Sequence, residues 1–271
     1  MAERIGLIAG NGRFPLVFAE TARREGVEVV AVAHRGETPA EIAGLVAELT
    51  WIRVGELGKM IRTFKRAGVR RAVMAGGLAK PRHLADFRPD VRGAAFIAKT
   101  RSLKDDVLLR GVAAELEHDG IAVVESTLFL GALVPAAGTL TRAEPTAREW
   151  EDVRFGFAVA KDIGRWDIGQ SVVVKGGAVL AVEGIEGTDA AIRRGGELGQ
   201  GGVVVVKVSK PIQDLRFDVP AVGVTTVGVL REVGGRVLAL EAGRTIMLDR
   251  EALIAAADAA GIAVVAVTPP P

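Results

Sequence analysis

Arg4-Ile-Gly-Leu-Ile-Ala9, then Gly10-Asn11-Gly12-Arg13, then Phe14-Pro-Leu-Val-Phe-Ala-Glu-Thr-Ala-Arg-Arg24 follow one another at the start of the chain. The first piece is the continuous apolar run of a strand covered on both faces. The second is a glycine turn, and the third carries apolar residues at helical spacing. Val27 to Ala33 reads as the next strand and Pro39 to Leu49 as a helix. Trp51 to Val54 is a short strand, Gly55 to Ala67 a helix, and Arg71 to Ala75 a strand ended by Gly76-Gly77. Such β-α alternation predicts a parallel sheet with right-handed crossovers, whose ligands gather at the carboxyl edge of the strands. The turns at Gly10 to Gly12, Gly55 to Gly58 and Gly76-Gly77 all fall on that edge.

A strand, a glycine turn and a helix N-terminus together make a cradle for an anion or a nucleotide. Gly10, Asn11, Gly12 and Gly76 are therefore candidate binding residues, with Lys80 as a phosphate partner. A nicotinamide dinucleotide is disfavoured. Pro15 stands where the G-x-G-x-x-G fingerprint needs its third glycine, and the second strand ends at His34-Arg35 where an acidic residue should meet the ribose. A tight crossover turn with no ligand remains the alternative.

Arg88 to Thr100 is mixed in character. Lys104-Asp105-Asp106 opens a helix running to His118, its acidic pair suiting a helix N-terminus, and Ile121 to Glu125 closes the first α/β unit. Pro135 to Thr146, with two prolines, Gly138 and few bulky apolar residues, reads as a linker. The expected fold class is α/β. A Rossmann-like parallel-sheet domain spans residues 1–134, and a second α/β domain with a mixed sheet spans 147–271.

The second half begins with a helix from Ala147 to Ile163. The run from Asp167 to Asp189 follows, in which Ser171 to Val174 and Val179 to Val182 flank a Lys-Gly-Gly turn, the signature of a hairpin. Pairing brings its two ends to one edge, so Asp167 and Gln170 meet Glu183, Glu186, Thr188 and Asp189. Like-charge crowding of that kind needs a cation or cationic side chains to offset it. The milder alternative has Asp167, Thr188 and Asp189 closing turns and capping a helix near Ala190. Beyond it come a strand at Val203 to Val208 and a charged, proline-bounded loop from Ser209 to Gly223. Thr225-Thr226 is expected to cap the next helix. Strands at Val237 to Leu240 and Thr245 to Leu248, a helix at Arg250 to Ala260 and a last strand at Ile262 to Val267 complete the chain.

Composition narrows the function. Hydrophobic residues are 49% of the 271 and the net charge is +2, which describes a globular chain. No basic block carries interleaved aromatics, so nucleic acid is not an expected partner. The absence of cysteine excludes disulfides, thiol catalysis and cysteine metal sites. His34, His83 and His118 lack zinc spacing. No segment has signal-peptide organisation or the roughly 20-residue apolar length of a bilayer span, so a cytoplasmic, soluble chain is expected. G-x-S-x-G, P-loop and H-E-x-x-H motifs are missing. What remains is glycine turns for phosphates, carboxylates able to hold Mg²⁺, and Lys207, Lys210 and Arg216 to neutralise phosphoryl charge, a set suited to phosphoryl-group hydrolysis.

Gly6-Leu-Ile-Ala-Gly10 with Gly12 and Pro15, Gly55-Glu-Leu-Gly-Lys59, Lys104-Asp-Asp106, Asp167-Ile-Gly-Gln170, Ala181-Val-Glu183, Glu186-Gly-Thr-Asp189, Lys210-Pro-Ile-Gln213 and Asp218-Val-Pro220 together resemble one family. It is the Mg²⁺-dependent UDP-2,3-diacylglucosamine pyrophosphatase of lipid A biosynthesis, of the type unrelated to calcineurin-like phosphatases. The resemblance runs from about residue 3 to 267. It implies hydrolysis of UDP-2,3-diacylglucosamine to UMP and 2,3-diacylglucosamine 1-phosphate, in two domains with the substrate between them. It also implies a homodimer, transiently associated with the cytoplasmic face of the inner membrane.

On this resemblance Asp189, Asp218 and Thr225 occupy the catalytic positions, and Asp189 with Glu183 would hold Mg²⁺. Lys104, Asp167, Gln170, Thr188 and Lys210 join the glycine turns and Lys80 in binding substrate. Family members often carry an acidic residue where this chain has Thr225, and a threonine hydroxyl neither binds Mg²⁺ as strongly nor acts as a base at neutral pH. Asp218, Asp189 or another carboxylate would then take that role, or activity is reduced. A nucleotide-sugar binding or transferase protein, and a non-catalytic regulatory module, are the alternatives.

Overall fold

The structure is a computed structural model describing residues 3–78, 88–100, 105–211, 213–217 and 219–268. Two compact units are present, one formed by Met1–Leu130 together with Leu215–Asp218, the other by the rest.

The first unit alternates β1 (Arg4–Ala9), α1 (Phe14–Arg24), β2 (Glu28–His34), β3 (Glu48–Ile52), α2 (Leu57–Arg66), β4 (Arg71–Ala75), α3 (Val91–Lys99), α4 (Asp105–His118) and β5 (Ala122–Val123). Its sheet has the order β3-β2-β1-β4-β5 and is parallel throughout. That is the Rossmann-like half expected from the alternation. β1 and β2 pair in register from Arg4–Glu28 to Ala9–Ala33, and both are buried almost end to end, as central strands covered on two faces must be. One covering layer is α2, whose Leu57, Met60, Ile61 and Phe64 pack on Ile8, Val30, Val32 and Met74.

Pro39 to Leu49 is not a helix. Only Ala40–Gly44 turns, as a 3-10 helix, and Glu48 onward is drawn into β3 by pairing with β2. Gly44 interrupts the apolar spacing, and the ladder offers Glu48 to Ile52 more backbone bonds than an isolated turn would. Arg88 to Thr100 holds the regular helix α3, capped by Asp90, whose carboxylate accepts from Gly93 N at 2.9 Å. Asp90 also accepts from Lys59 N at 2.9 Å, so one side chain serves the first turns of two helices. Burial pushes the Asp90 carboxyl up, but the N–H groups of Gly93, Gly58 and Lys59, with Arg62, hold it below its ordinary value.

The second unit contains β6 (Gly138–Thr139), α5 (Ala147–Arg165), β7 (Ser171–Lys175), β8 (Ala178–Val182), α6 (Thr188–Gly199), β9 (Val204–Lys207), β10 (Ala221–Val222), α7 (Val224–Glu232), β11 (Val237–Glu241), β12 (Ile246–Met247), α8 (Arg250–Ala260) and β13 (Ala263–Val267). Six strands form a mixed sheet in the order β6-β13-β11-β9-β7-β8, while β10 and β12 make a separate parallel pair. Residues 135–146, expected as a linker, contribute β6, which pairs antiparallel to β13. The hairpin forms as read. Gly176 and Gly177 both take positive φ, +59° and +76°, the conformation a two-residue turn of the right twist requires. The buried Asp152 carboxylate accepts from both of their N–H groups at 2.8 and 2.7 Å. Valines fill both faces: Val173, Val203 and Val205 pack toward α6 and α7, and Val172, Val174, Val204 and Val206 toward α5.

Candidate active site

In the first unit the glycine turns interlock. Gly10 N donates to Ala75 O at 2.8 Å and Asn11 N to Gly77 O at 2.7 Å. A Cβ at Gly10 would run into Gly77 O, and one at Gly76, where φ is +84°, into Asn11 O. Two of the N–H groups expected to face a ligand are therefore spent on the neighbouring loop, and the Asn11 amide donates to Glu37 at 3.0 Å. Gly12 differs: φ is +79° and a Cβ there would meet open space. Helix α1 begins beside it with no side-chain cap and no acidic residue in its first turn, so this is where an anion would find helix N–H groups. Behind the turn, Ala9 O accepts from Thr38 Oγ1 at 2.6 Å and lies 2.9 Å from His34 Nδ1. Burial lowers the His34 pKa, against the smaller opposing pull of Ala9 O and Glu37.

In the second unit, antiparallel β7 enters the sheet at the edge where β8, β9 and β11 leave it. Gln170, Ser171, Glu183, Lys207, Ser209 and Glu241 are thereby gathered along one edge. Glu183 and Lys207 are buried. Thr188 links them: its hydroxyl donates to Glu183 Oε1 at 2.8 Å and accepts from Lys207 Nζ at 2.9 Å. Glu183 Oε2 accepts from Gln170 N at 3.3 Å. Asp167, in the left-handed region at φ +57°, receives Lys210 Nζ at 2.5 Å. Lys210 N in turn donates to Gln213 Oε1 at 2.8 Å, and Glu186 pairs with Arg194 at 2.8 Å.

The crowded carboxylates of the hairpin are thus offset by Lys207, Lys210 and Arg194. The capping alternative does not hold for Thr188. Gly187 is the N-cap of α6, and Thr188 and Asp189 lie in its first turn, with the Thr188 hydroxyl committed to Glu183. Likewise Gly223, not Thr225 or Thr226, caps α7. Thr225 is exposed and makes no hydrogen bond with the Glu183–Thr188–Lys207 chain. Lys80, Lys104 and Asp218 lie outside the described residues.

Three residues escaped the sequence reading. Lys161 places its ammonium 2.7 Å from both oxygens of Glu241, which is 1% exposed. Glu241 Oε2 also accepts from Ser209 N at 2.7 Å and Ser209 Oγ at 2.8 Å. This knot fixes the start of the Lys210 loop. Its one sequence signal is a carboxylate ending the otherwise apolar run Val237-Leu-Ala-Leu-Glu241.

Whether these groups fit Mg²⁺ turns on their oxygens. Among the described residues no group of three or more acidic or histidine side chains could cage a metal. Magnesium, however, prefers one or two carboxylates plus substrate phosphates. Ser171, paired across the hairpin with Glu183, has a buried Oγ with no hydrogen-bond partner among the described residues, and buried polar atoms rarely go unpaired without a missing partner. A hard-oxygen site of that open kind fits.

Fold and edge together define a two-unit α/β protein, one unit with interlocked glycine turns and the other gathering lysines, carboxylates and an orphaned hydroxyl at a sheet edge. The chain belongs to the LpxI family. The model of the LpxI N-terminal domain matches residues 4–133, and that of the LpxI C-terminal domain matches residues 136–265. A relative from Caulobacter vibrioides, the UDP-2,3-diacylglucosamine pyrophosphatase LpxI, is 34% identical over 279 residues, spanning 98% of each chain. Among solved structures, the precorrin-6A reductase CobK is 16% identical and covers 99% of this chain and 89% of its own at a TM-score of 0.35. The biotin carboxylase subunit of pyruvate carboxylase is 14% identical over 69% of this chain and 39% of its own, with a TM-score of 0.28.

Proposed function

We propose that this chain hydrolyses the diphosphate of UDP-2,3-diacylglucosamine to UMP and 2,3-diacylglucosamine 1-phosphate, a step of lipid A biosynthesis. The observation that carries the reading is the 34% identity to a pyrophosphatase of that name across 98% of both chains. The polar edge of the second unit supplies the chemistry. A water oxygen bonds to the β-phosphorus while the bridging P–O bond breaks, and UMP departs with the bridging oxygen. Lys207 and Lys210 offset charge on the diphosphate, and Thr188 holds Lys207 and Glu183 at fixed separation. Glu183 and Asp189 would hold Mg²⁺. The metal, when bound, neutralises the phosphoryl oxygens as charge develops on them. A threonine hydroxyl is no base at neutral pH, so Asp218, Asp189 or another carboxylate takes the proton of the attacking water. The family resemblance further supports a homodimer and transient contact with a membrane surface.

The test is turnover of UDP-2,3-diacylglucosamine by the purified chain in ¹⁸O-labelled water, with Mg²⁺ and with a chelator. Label in the sugar 1-phosphate and Mg²⁺-dependent release of UMP are expected. Label in UMP would move the attack to the α-phosphorus. Binding without UMP release would make the chain a nucleotide-sugar binding protein.

A further inference from the structure

Three of the most exposed large apolar side chains of the second unit lie on two neighbouring turns. Trp166 is 80% exposed, Ile168 52% and Ile185 100%. Trp166 closes α5, Ile168 leads into β7, and Ile185 follows β8. Val172 pairs with Val182, and Glu183 N donates to Ser171 O at 2.9 Å one step further out. The ladder stops there, and the two chains leave it as turns, one through Trp166 and Ile168 before β7 and one from Gly184 to Gly187 after β8. Gly169 is so close to the other chain that a Cβ would strike Glu183 O. The turns that carry all three therefore border the edge that holds Gln170, Glu183 and Lys210.

Their backbone is braced. Asp167 N and Ile168 N donate to Gly164 O and Ile163 O at 3.2 and 3.3 Å, and Gly187 N donates to Gly184 O at 3.2 Å around Ile185. Lys210 clasps Asp167, and Arg194 clasps both Val182 O and Glu186. These are apolar tips on held turns.

We propose that Trp166, Ile168 and Ile185 form a wedge that enters the head-group boundary of a lipid leaflet, presenting the adjoining polar edge to a diacylated sugar nucleotide in that leaflet. The inference rests on the proposed function for the substrate, whose two acyl chains place it in a bilayer. An indole ring, apolar in body and polar at N–H, suits that boundary. The flanking arginines already hold carboxylates: Arg165 with Asp162 at 3.1 Å and Arg194 with Glu186. Attraction is therefore apolar rather than coulombic, and anionic lipid and salt should matter little. A second copy of the chain is a poorer occupant. Three such side chains offer at most roughly 750 Å², since even aromatic ones bury about 150–250 Å² each, short of the about 800 Å² per partner of a stable interface.

The test uses the full chain with vesicles of phosphatidylcholine, alone or with phosphatidylglycerol, and follows co-flotation. The variant combining Trp166→Ser, Ile168→Ser and Ile185→Ser should lower the partition coefficient by about ten-fold or more. Leu198→Ser, an exposed apolar side chain on α6, should change it less than about two-fold. Lipids brominated in their acyl chains should quench a part of the tryptophan emission that Trp166→Ser removes. With substrate in detergent the triple variant should keep its kcat, and with substrate embedded in vesicles it should lose rate. Full vesicle binding by the triple variant, or no binding by the parent chain, overturns the wedge while leaving hydrolysis in detergent to report on the function. A raised KM in detergent without vesicle binding would assign these side chains to the substrate's own acyl chains and overturn the leaflet. Concentration-dependent dimerisation lost in the triple variant, with no vesicle binding, would assign them to a second copy and overturn it equally.

Discussion

Lys161 and Glu241 form a salt bridge in which the ammonium is 2.7 Å from both carboxylate oxygens, and the glutamate is sealed from solvent. Ser209 completes it through its N–H and hydroxyl, so the last residue of β11 anchors the first turn of the Lys210 loop. Removing one partner of such a pair leaves an uncompensated charge, which in buried sites costs about 3–5 kcal/mol. The Lys161 side chain is partly exposed, and solvent reduces the cost to roughly 2–4 kcal/mol. Lys161→Met and Glu241→Gln should each lower the unfolding free energy, read from urea denaturation, by an amount in that range. The double variant should lose markedly less than the sum, because the stranded charge is gone. Additive losses would mean that the two groups do not act as a pair.

His34 predicts an acid limit to the stability of the first unit. Its ring is buried against Ala9 O, and burial lowers its folded-state pKa below the ordinary value of 6.5. Between the depressed value and 6.5 the unfolded chain binds the proton and the folded one does not. Stability is then full above about pH 6.5 and falls as the pH drops through that window, with a slope approaching about 1.4 kcal/mol per unit. Urea midpoints at about pH 7.5 and about pH 5.5 should diverge for the parent chain, and His34→Asn should flatten the difference. An equal slope in the variant would place the acid sensitivity elsewhere.

The two glycine turns separate stability from binding. Gly76→Ala would force a side chain into Asn11 O at a positive φ, costing about 3 kcal/mol or more. Gly12→Ala meets only the φ penalty, roughly 1 kcal/mol. Gly12→Val should keep the fold yet raise KM for the UDP substrate steeply, as a bulky side chain enters the space in front of α1. An unchanged KM with the fold intact would remove Gly12 from the site.

Much of this was legible in the sequence because local chemistry decides it. Lys175-Gly-Gly-Ala178 between β-branched runs can hardly be other than a tight hairpin, and the alternation from Arg4 to Ala75 leaves few choices but a parallel sheet. What escaped is decided at long range. Glu48 to Ile52 becomes a strand through β2, and the two residues of β6 carry no periodic pattern of their own. Ser126 N donates to Leu215 O at 3.3 Å and Phe217 joins the core of the first unit, a return across nearly ninety residues that no window reveals. At the candidate site the residue types were readable and their partners were not. Asp167 and Glu186 read as crowded carboxylates that a cation or cationic side chains must offset, and each holds a basic side chain that the sequence does not single out.

Asp189 and Thr225 carry the sharpest prediction about chemistry. Asp189 stands in the first turn of α6, next to the Thr188 hydroxyl that joins Lys207 to Glu183. If it holds the metal beside the diphosphate, Asp189→Asn keeps the shape and removes the balancing charge. The loss should be on the order of 10²–10³ in kcat, or roughly 3–4 kcal/mol of transition-state stabilisation, shown across a Mg²⁺ titration. A helix-terminus role alone would cost only about 0.3–1 kcal/mol of stability and little rate. Thr188→Val separates the two further, since it breaks the Lys207–Glu183 link without touching a carboxylate, and should lower kcat at saturating Mg²⁺. Thr225→Asp adds an acidic group at an exposed position in the first turn of α7, where it also suits the helix dipole. It should raise Mg²⁺-dependent turnover without lowering the melting temperature. If Asp189→Asn shifts only the melting temperature and Thr225→Asp changes nothing, the metal is held elsewhere.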